Sequence, residues 1–150
     1  MLQPGSILLY NIVFWGSARN IDKVIKLQKK IIRQMIGKSQ RESCRDIFKE
    51  FQIKTVTGLY LAECMRFVRG HPGEFVAFER VHSHNTRGQS NVLLTSHSKH
   101  ASIFEVGGKL YNLLPAEIKG VSDVSVFSRV VNRFFRDNVL YSIGEYAGPK

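Results

Sequence analysis

Apolar and basic positions follow a helical period along residues 20–37. Placed at about 100° per residue, the apolar side chains fall on one arc, which consists of Ile21, Val24, Ile25, Ile31, Ile32, Met35 and Ile36. The basic side chains fall on the opposite arc and are Lys23, Lys26, Lys29, Lys30 and Arg33. Asn20 suits the N-cap, Asp22 the positive end of the helix dipole, and Gly37 a left-handed residue after the last turn. The pattern predicts an amphipathic helix that packs its apolar arc on a core.

The basic arc of this helix allows two interpretations. Lysine and arginine are common on the solvated side of any surface helix. A cationic helix face is also typical of proteins that bind the backbone of nucleic acids. The periodicity alone leaves both interpretations open.

Two further helices are predicted before residue 70. Ser39 and Glu42 have the spacing of a capping box, which predicts a helix with apolar positions Cys44, Ile47, Phe48 and Phe51. Thr55 or Thr57 caps the next helix, which runs to about Arg69. Its apolar residues lie nearly all round it, as expected of a central core helix.

The pattern is irregular from about Glu74 to His100, apart from an extended-looking Val92–Leu94. So long a stretch predicts a functional loop or a flexible linker. Arg87 lies in the segment His84-Asn-Thr-Arg87, beside Arg80, where arginine and hydroxyl side chains suit phosphate contacts. A simple polar turn is the alternative interpretation of this segment.

Helical periodicity returns near Ser102. The first helix here contains Gly107 and Gly108, which weaken it, and Pro115 ends it. A last helix opens at Ser122-Asp123 or at Ser125, and its predicted buried residues are Phe127, Val130, Val131, Phe134 and Phe135. Its basic residues at i, i+4 and i+7 are Arg129, Arg133 and Arg136, which either face solvent or contact phosphate. The expected fold is mainly α, with five to six helices: a helical region at 1–70, an irregular basic, histidine-rich loop or linker at 71–101, and a C-terminal helical region at 102–150.

The N-terminal run Ile7–Trp15 is apolar except for Tyr10 and Asn11. It is too short to span a bilayer, and no positive charge precedes it as in a signal peptide. We expect it to be a buried helix or strand that packs beneath the basic helix.

The chain has 150 residues and a formal net charge of +10, so an anionic partner is expected. Nucleic acid is the first candidate and an acidic membrane surface the second. The two cysteines, Cys44 and Cys64, lie in apolar helical patterns, where cysteine is usually a small buried hydrophobe. Two cysteines form no disulfide framework, which favours a reducing, intracellular compartment.

Catalytic patterns are absent from the sequence. A two-metal site needs paired carboxylates that hold cations about 4 Å apart, and the aspartates are isolated at Asp22, Asp46, Asp123 and Asp137. There is no phosphate-binding loop and no nucleophile elbow. The pairs His82/His84 and His97/His100 lack the further ligands that zinc requires. We therefore expect no catalytic residue, no metal site and no cofactor.

Several segments together resemble a known family. In chain order they are Leu9–Gly16, Leu27–Arg33 with Ile36-Gly37, Arg41–Arg45 with Phe48, His84–Arg87, Leu110–Pro115, and Phe127–Phe135 with Tyr141–Tyr146. They are similar to the region that follows the polymerase core in non-LTR retrotransposon reverse transcriptases, the jockey-like elements of arthropods in particular. The resemblance covers almost the whole chain, and none of its motifs is catalytic. Tyr111 departs from the pattern, because the family often carries tryptophan there.

The resemblance implies a thumb-like helical bundle that grips the backbone of template and primer. The chain would be a C-terminal fragment that lacks the upstream polymerase and endonuclease domains, and Met1 an internal or fortuitous start. Its expected partners are those domains and RNA or an RNA–DNA hybrid, in the nucleus or cytoplasm, with no membrane and no secretion. The expected backbone-binding residues are Lys23, Lys26, Lys29, Lys30, Arg33, Arg87, Arg129, Arg133 and Arg136.

Two alternatives remain open at this point. The chain could be a structural remnant of a transposon polyprotein with no independent activity, whose core is incomplete without the palm. It could also be a small secreted or membrane-surface protein built on the Ile7–Trp15 run.

Overall fold

The computed structural model describes residues 12–13, 18–77, 92–94 and 101–148. In these ranges the helices are α1 (Ala18–Met35), α2 (Arg45–Glu50), α3 (Val56–Gly70), α4 (Ala101–Asn112), α5 (Ala116–Lys119), α6 (Val124–Asp137) and α7 (Ile143–Ala147). Two short strands, β1 (Phe75–Ala77) and β2 (Val92–Leu94), pair antiparallel. The predicted mainly α fold is confirmed. The short helices α5 and α7 are additions to the predicted helices.

The chain divides into two compact units. The first consists of Met1–Ala62 and Asn132–Lys150, and the second of Glu63–Val131. This division follows spatial contacts, so the last nineteen residues belong with the first part of the chain. The boundaries predicted from the sequence, after residues 70 and 101, stay a prediction.

In the first unit, α1 buries only part of its apolar arc. Ile21, Ile25 and Ile32 are buried, whereas Ile31 and Met35 are 48% and 79% exposed. The prediction that the whole arc packs on the core is therefore wrong. At about 100° per residue, the three buried isoleucines lie within roughly 40° of one another around the helix axis. The core therefore covers only a narrow part of the apolar arc, and residues farther round the helix stay exposed.

The C-terminal end of α1 agrees with the prediction, whereas its N-terminal end does not. The helix begins at Ala18, so Asn20 lies within the first turn and does not cap it, and Asp22 lies beyond that turn. Gly37 has a φ of 68°, as predicted for a left-handed residue after the last turn.

Helix α2 begins later than the capping-box spacing predicts. The backbone N–H of Ser39 donates to the Glu42 carboxylate at 3.0 Å, but this bond closes a turn that precedes the helix, whose N-cap is Cys44. Cys44 and Phe48 are buried as predicted, and they form a cluster with Ile32, Ile47 and Val139. Phe51, at the C-cap, is 57% exposed, contrary to the prediction, because the chain leaves the helix there.

Thr55 joins the start of α3 to the C-terminal segment. Its hydroxyl accepts from the backbone N–H of Gly58 at 3.0 Å and donates to the carbonyl of Leu140 at 2.7 Å. Of the two predicted caps, Thr55 is therefore the one used. A Cβ at Gly58 would lie 2.9 Å from the carbonyl oxygen of Phe135, so only glycine allows this close approach.

In the second unit, two glycines let α4 pack closely against Val68 and Phe75. A Cβ at Gly107 would lie 3.3 Å from Val68, and a Cβ at Gly108 would lie 3.2 Å from the ring of Phe75. Strand β1, which contains Phe75, falls in the segment predicted to be irregular, and this part of the prediction is wrong. A three-residue strand is too short to show an alternating pattern in the sequence. The segment Val92–Leu94, predicted to be extended, is confirmed as β2.

Helix α6 begins as predicted, because Asp123 Oδ1 accepts from the backbone N–H of Val126 at 2.7 Å. Phe127, Val131 and Phe135 are buried, and Val130 and Phe134 are partly buried. Both cysteines are buried free thiols, as predicted. Ile12 and Val13 are helical and buried, and the rest of the Ile7–Trp15 run lies outside the described residues.

Candidate nucleic-acid interface

A cationic groove runs along α1 and the turn that follows it. Its volume is about 410 Å³. It is lined by five basic side chains and two amides, which are Lys26, Lys29, Lys30, Arg33, Lys38, Gln34 and Gln40. None of these lining residues is acidic. We call this surface the basic groove.

The basic side chains of α1 differ in how far they are free to reach a ligand. Lys23, Lys26 and Lys30 are exposed, whereas Lys29 and Arg33 are partly buried. Lys23 is not among the residues that line the basic groove. The helix thus presents exposed lysines beside two partly buried cations.

Lys29 is held by the C-terminal segment. Its ammonium nitrogen lies 4.4 Å from the ring centroid of Tyr141, and the Arg45 guanidinium lies 4.3 Å from the same centroid. The hydroxyl of Tyr141 accepts from the backbone N–H of Cys44 at 3.2 Å. Each cation is attracted by the negative face of the ring, so Tyr141 fixes Lys29 while leaving its positive charge in place.

Arg33 is held by the turn after α1. Its Nε and Nη2 donate to the backbone carbonyl of Glu42 at 2.9 and 2.7 Å. A guanidinium carries five N–H donors, so this carbonyl engages two of them and leaves three for a ligand. A fixed arginine loses less rotamer freedom on binding a phosphate than a solvated one.

Lys38 is a groove residue that the sequence pattern missed. Its backbone N–H donates to the carbonyl of Arg33 at 2.9 Å, and the N–H of Gly37 donates to that of Gln34 at 3.4 Å. This pair of bonds is a Schellman motif, which folds the chain back over the end of the helix. The glycine at position 37 is the signal from which the position of Lys38 could have been inferred.

Glu42 is an acidic residue in the turn that Arg33 contacts, and its carboxylate is already engaged. The hydrogen bond from the backbone of Ser39 lowers the pKa of Glu42 below its usual value, and the side chain of Ser39 and the charges of Lys38 and Arg33 act in the same direction. The Glu42 carboxylate is therefore negatively charged at neutral pH, and it faces the backbone of the turn at Ser39.

The remaining predicted contacts are not part of this groove. Arg129 and Arg133 are exposed on α6, and Arg136 is partly buried. The Nε of Arg136 is buried without a hydrogen-bond partner among the described residues. Arg87 lies outside the described residues, as do His82, His84, His97 and His100.

The chemistry available at the basic groove is the binding of an anion by Coulomb attraction and hydrogen bonds. Within the described ranges, no group of three or more histidine, cysteine, aspartate or glutamate residues is placed to hold a metal ion. No helix among the described residues is long and apolar enough to cross a membrane.

Comparisons with known proteins leave the family open. No protein-family model matches the sequence, and neither a curated protein nor a solved structure matches it. The similarity to retrotransposon reverse transcriptases therefore stays a prediction that rests on the sequence motifs alone.

Proposed function

We propose that this chain binds the sugar–phosphate backbone of nucleic acid, without sequence preference, through the basic groove. The observation that carries the proposal is the convergence of five basic side chains on one groove whose lining has no acidic residue. Cations that replace the counterions of a nucleic acid release them to solution, and this release drives backbone binding.

The preferred ligand in this proposal is RNA or an RNA–DNA hybrid. Helix α1 contains the Leu27–Arg33 motif of the resemblance, in which such a helix grips template and primer. The chain would supply a grip of this kind to a polymerase whose catalytic domains lie elsewhere. An intracellular location, nuclear or cytoplasmic, is part of the proposal, because the ligand is there and both cysteines are free thiols.

The experiment that tests the proposal compares two lysines, each replaced by glutamine. Lys30→Gln removes a charge from the basic groove, and Lys49→Gln removes one from an exposed position on α2 that does not line it. Each variant has the same net charge, so non-local electrostatics are matched. Binding to a fluorescein-labelled 20-base-pair RNA–DNA hybrid is measured by fluorescence anisotropy in 100 mM salt.

Lys30→Gln is expected to raise the Kd by about 5- to 10-fold, which corresponds to one lost phosphate contact at this salt concentration. Lys49→Gln is expected to change it less than about 2-fold. Equal effects of the two variants would mean that only the net charge matters, and the groove would then not be the binding site.

A structural remnant with no independent activity is the competing candidate. The exposure of Ile31 and Met35 on α1 favours it, because an apolar strip left open is expected where a neighbouring domain is missing. Circular dichroism of the purified chain during a thermal melt separates the two. A cooperative transition supports an independent fold, and a gradual loss of signal supports the remnant.

A further inference from the structure

A second groove lies on the apolar side of α1, within the first compact unit. It has a volume of about 270 Å³. One wall is α1 and the other is the start of α3, and the lining residues are Val24, Leu27, Gln28, Ile31, Lys54, Val56 and Leu59. We call it the apolar groove. Leu27 is 57% exposed and Ile31 is 48% exposed, so the α1 wall presents two large aliphatic side chains at i and i+4 to solvent.

Gln28 fixes the two walls of the apolar groove relative to each other. Its side-chain nitrogen donates to the carbonyl of Lys54 at 3.0 Å, and its side-chain oxygen accepts from the backbone N–H of Val56 at 2.9 Å. Both ends of the amide are thus satisfied by the backbone that leads into α3. A groove held open in this way is preorganised, so that binding to it carries a small conformational cost.

Basic residues border the apolar groove. By helical periodicity, Lys23 and Lys30 lie next to Leu27 on the outer side of α1, and both are exposed. On the opposite side, Lys54 is part of the lining, and its ammonium group donates to the side chain of Asn132. A ligand in the groove therefore contacts aliphatic groups along its middle and positive charge at its edges.

These features restrict the class of ligand. No aromatic side chain is among the lining residues, so nucleobases have no stacking platform there. A concave groove between two helices accepts protruding side chains better than it accepts a flat bilayer surface. A second copy of this chain would bring together two strongly cationic α1 helices, which repel each other.

We propose that the apolar groove is the docking site for an amphipathic helix of a partner protein. That helix has aliphatic side chains at i, i+4 and i+7 in the groove and acidic side chains on either side of them. The aliphatic side chains pack against Leu27, Ile31 and Leu59 in the helix-in-groove mode, and the acidic ones face the bordering lysines. Its aliphatic contacts are distinct from those of the basic groove, because Leu27 and Ile31 do not line that groove, whereas Lys30 borders the one and lines the other.

The probe for the test is a labelled synthetic helical peptide with leucine at i, i+4 and i+7 and glutamate at the flanking positions. A second peptide carries lysine in place of each glutamate. Fluorescence anisotropy with the full chain is expected to show binding of the glutamate peptide that is at least 10-fold tighter than that of the lysine peptide. Leu27→Ser and Ile31→Ser are each expected to weaken binding of the glutamate peptide at least 10-fold.

Leu113→Ser is the matched control, because Leu113 is as exposed as Ile31 but lies in the second unit. It is expected to leave peptide affinity unchanged. All three side chains are about half exposed, so each variant should fold, and thermal melts check this. Affinity for the RNA–DNA hybrid is expected to stay within 2-fold of wild type in all three.

Several results would overturn the proposal. Equal affinity of the glutamate and lysine peptides would show that the contact is nonspecific. A loss of affinity in Leu113→Ser as large as that in Ile31→Ser would show the same. Failure of the glutamate peptide to bind the wild-type chain would mean that the groove does not take an acidic amphipathic helix. A dimer in sedimentation equilibrium that Leu27→Ser dissociates would assign the groove to a second copy. Binding to anionic vesicles that Leu27→Ser abolishes would assign the groove to a lipid surface.

Discussion

The ammonium nitrogen of Lys29 lies 4.4 Å from the ring centroid of Tyr141 and joins the middle of α1 to the C-terminal segment. The same ring packs edge-on against Phe48, with 6.2 Å between centroids. Arg45, the second cation on this ring, also donates to the carbonyl of Val139 and to both carboxylate oxygens of Glu145. The conformation of the basic groove therefore depends on residues more than a hundred positions away in sequence.

Replacement of Tyr141 by leucine is expected to destabilise the chain by about 2 kcal/mol, because two cation–π contacts, an aromatic pair and one hydrogen bond are lost. Tyr141→Phe keeps the ring and loses only the hydroxyl that accepts from Cys44, so about 1 kcal/mol is expected. Urea denaturation measures both. If the two variants were equally stable, the ring would not be the element that fixes Lys29.

Thr55 and Thr57 allow the same substitution to be compared at two neighbouring buried positions. The Thr55 hydroxyl caps α3 and bonds to Leu140, whereas the Thr57 hydroxyl is buried without a hydrogen-bond partner among the described residues. Thr55→Val is expected to cost about 2 kcal/mol, because it removes a cap and a second hydrogen bond. Thr57→Val is expected to be neutral or stabilising by up to about 1 kcal/mol, since it removes an unsatisfied polar group. Urea denaturation that gives both variants the same loss would contradict these hydrogen-bond assignments.

Tyr146 is expected to make the chain sensitive to alkaline pH. Burial raises the pKa of its phenol, which packs against Phe135 with 5.3 Å between ring centroids. The folded state then holds the proton more tightly than the unfolded state, whose tyrosine pKa is about 10. This contribution to stability is complete below that pH and is lost as the pH rises toward the folded pKa.

Tyr146→Phe has no proton to lose at this position. Its free energy of unfolding is therefore expected to fall less than that of the wild type between pH 9 and pH 11. Chemical denaturation at the two pH values measures the difference. An equal decrease in the two proteins would show that Tyr146 is accessible to solvent in the folded state.

The sequence pattern predicted the helices well where apolar residues at helical spacing or a capping residue marked them. Helix α3, apolar nearly all round, and α6, with its cap at Asp123, were both predictable from periodicity and capping chemistry. Helix α1 was placed to within three residues at its start and one residue at its end. The exposure of Ile31 was not predictable, because an apolar arc does not show how wide a sector the packing partner covers.

The basic groove was only partly predictable. Periodicity grouped Lys26, Lys30 and Arg33, since they share one helix face. Periodicity did not identify Lys38, because its position depends on the turn at Gly37. It did not identify Tyr141 either, because this residue contacts α1 only through tertiary packing. Local pattern carries no information about contacts between such distant parts of the chain.

The most direct test of the account is the salt dependence of hybrid binding. The affinity of the wild-type chain for the 20-base-pair RNA–DNA hybrid is measured between 50 and 300 mM salt. If the five basic side chains of the groove engage phosphates, log K is expected to fall against log salt with a slope of about −4. An affinity that does not change with salt, or no binding to the hybrid, would contradict the proposal that the basic groove binds nucleic-acid backbone.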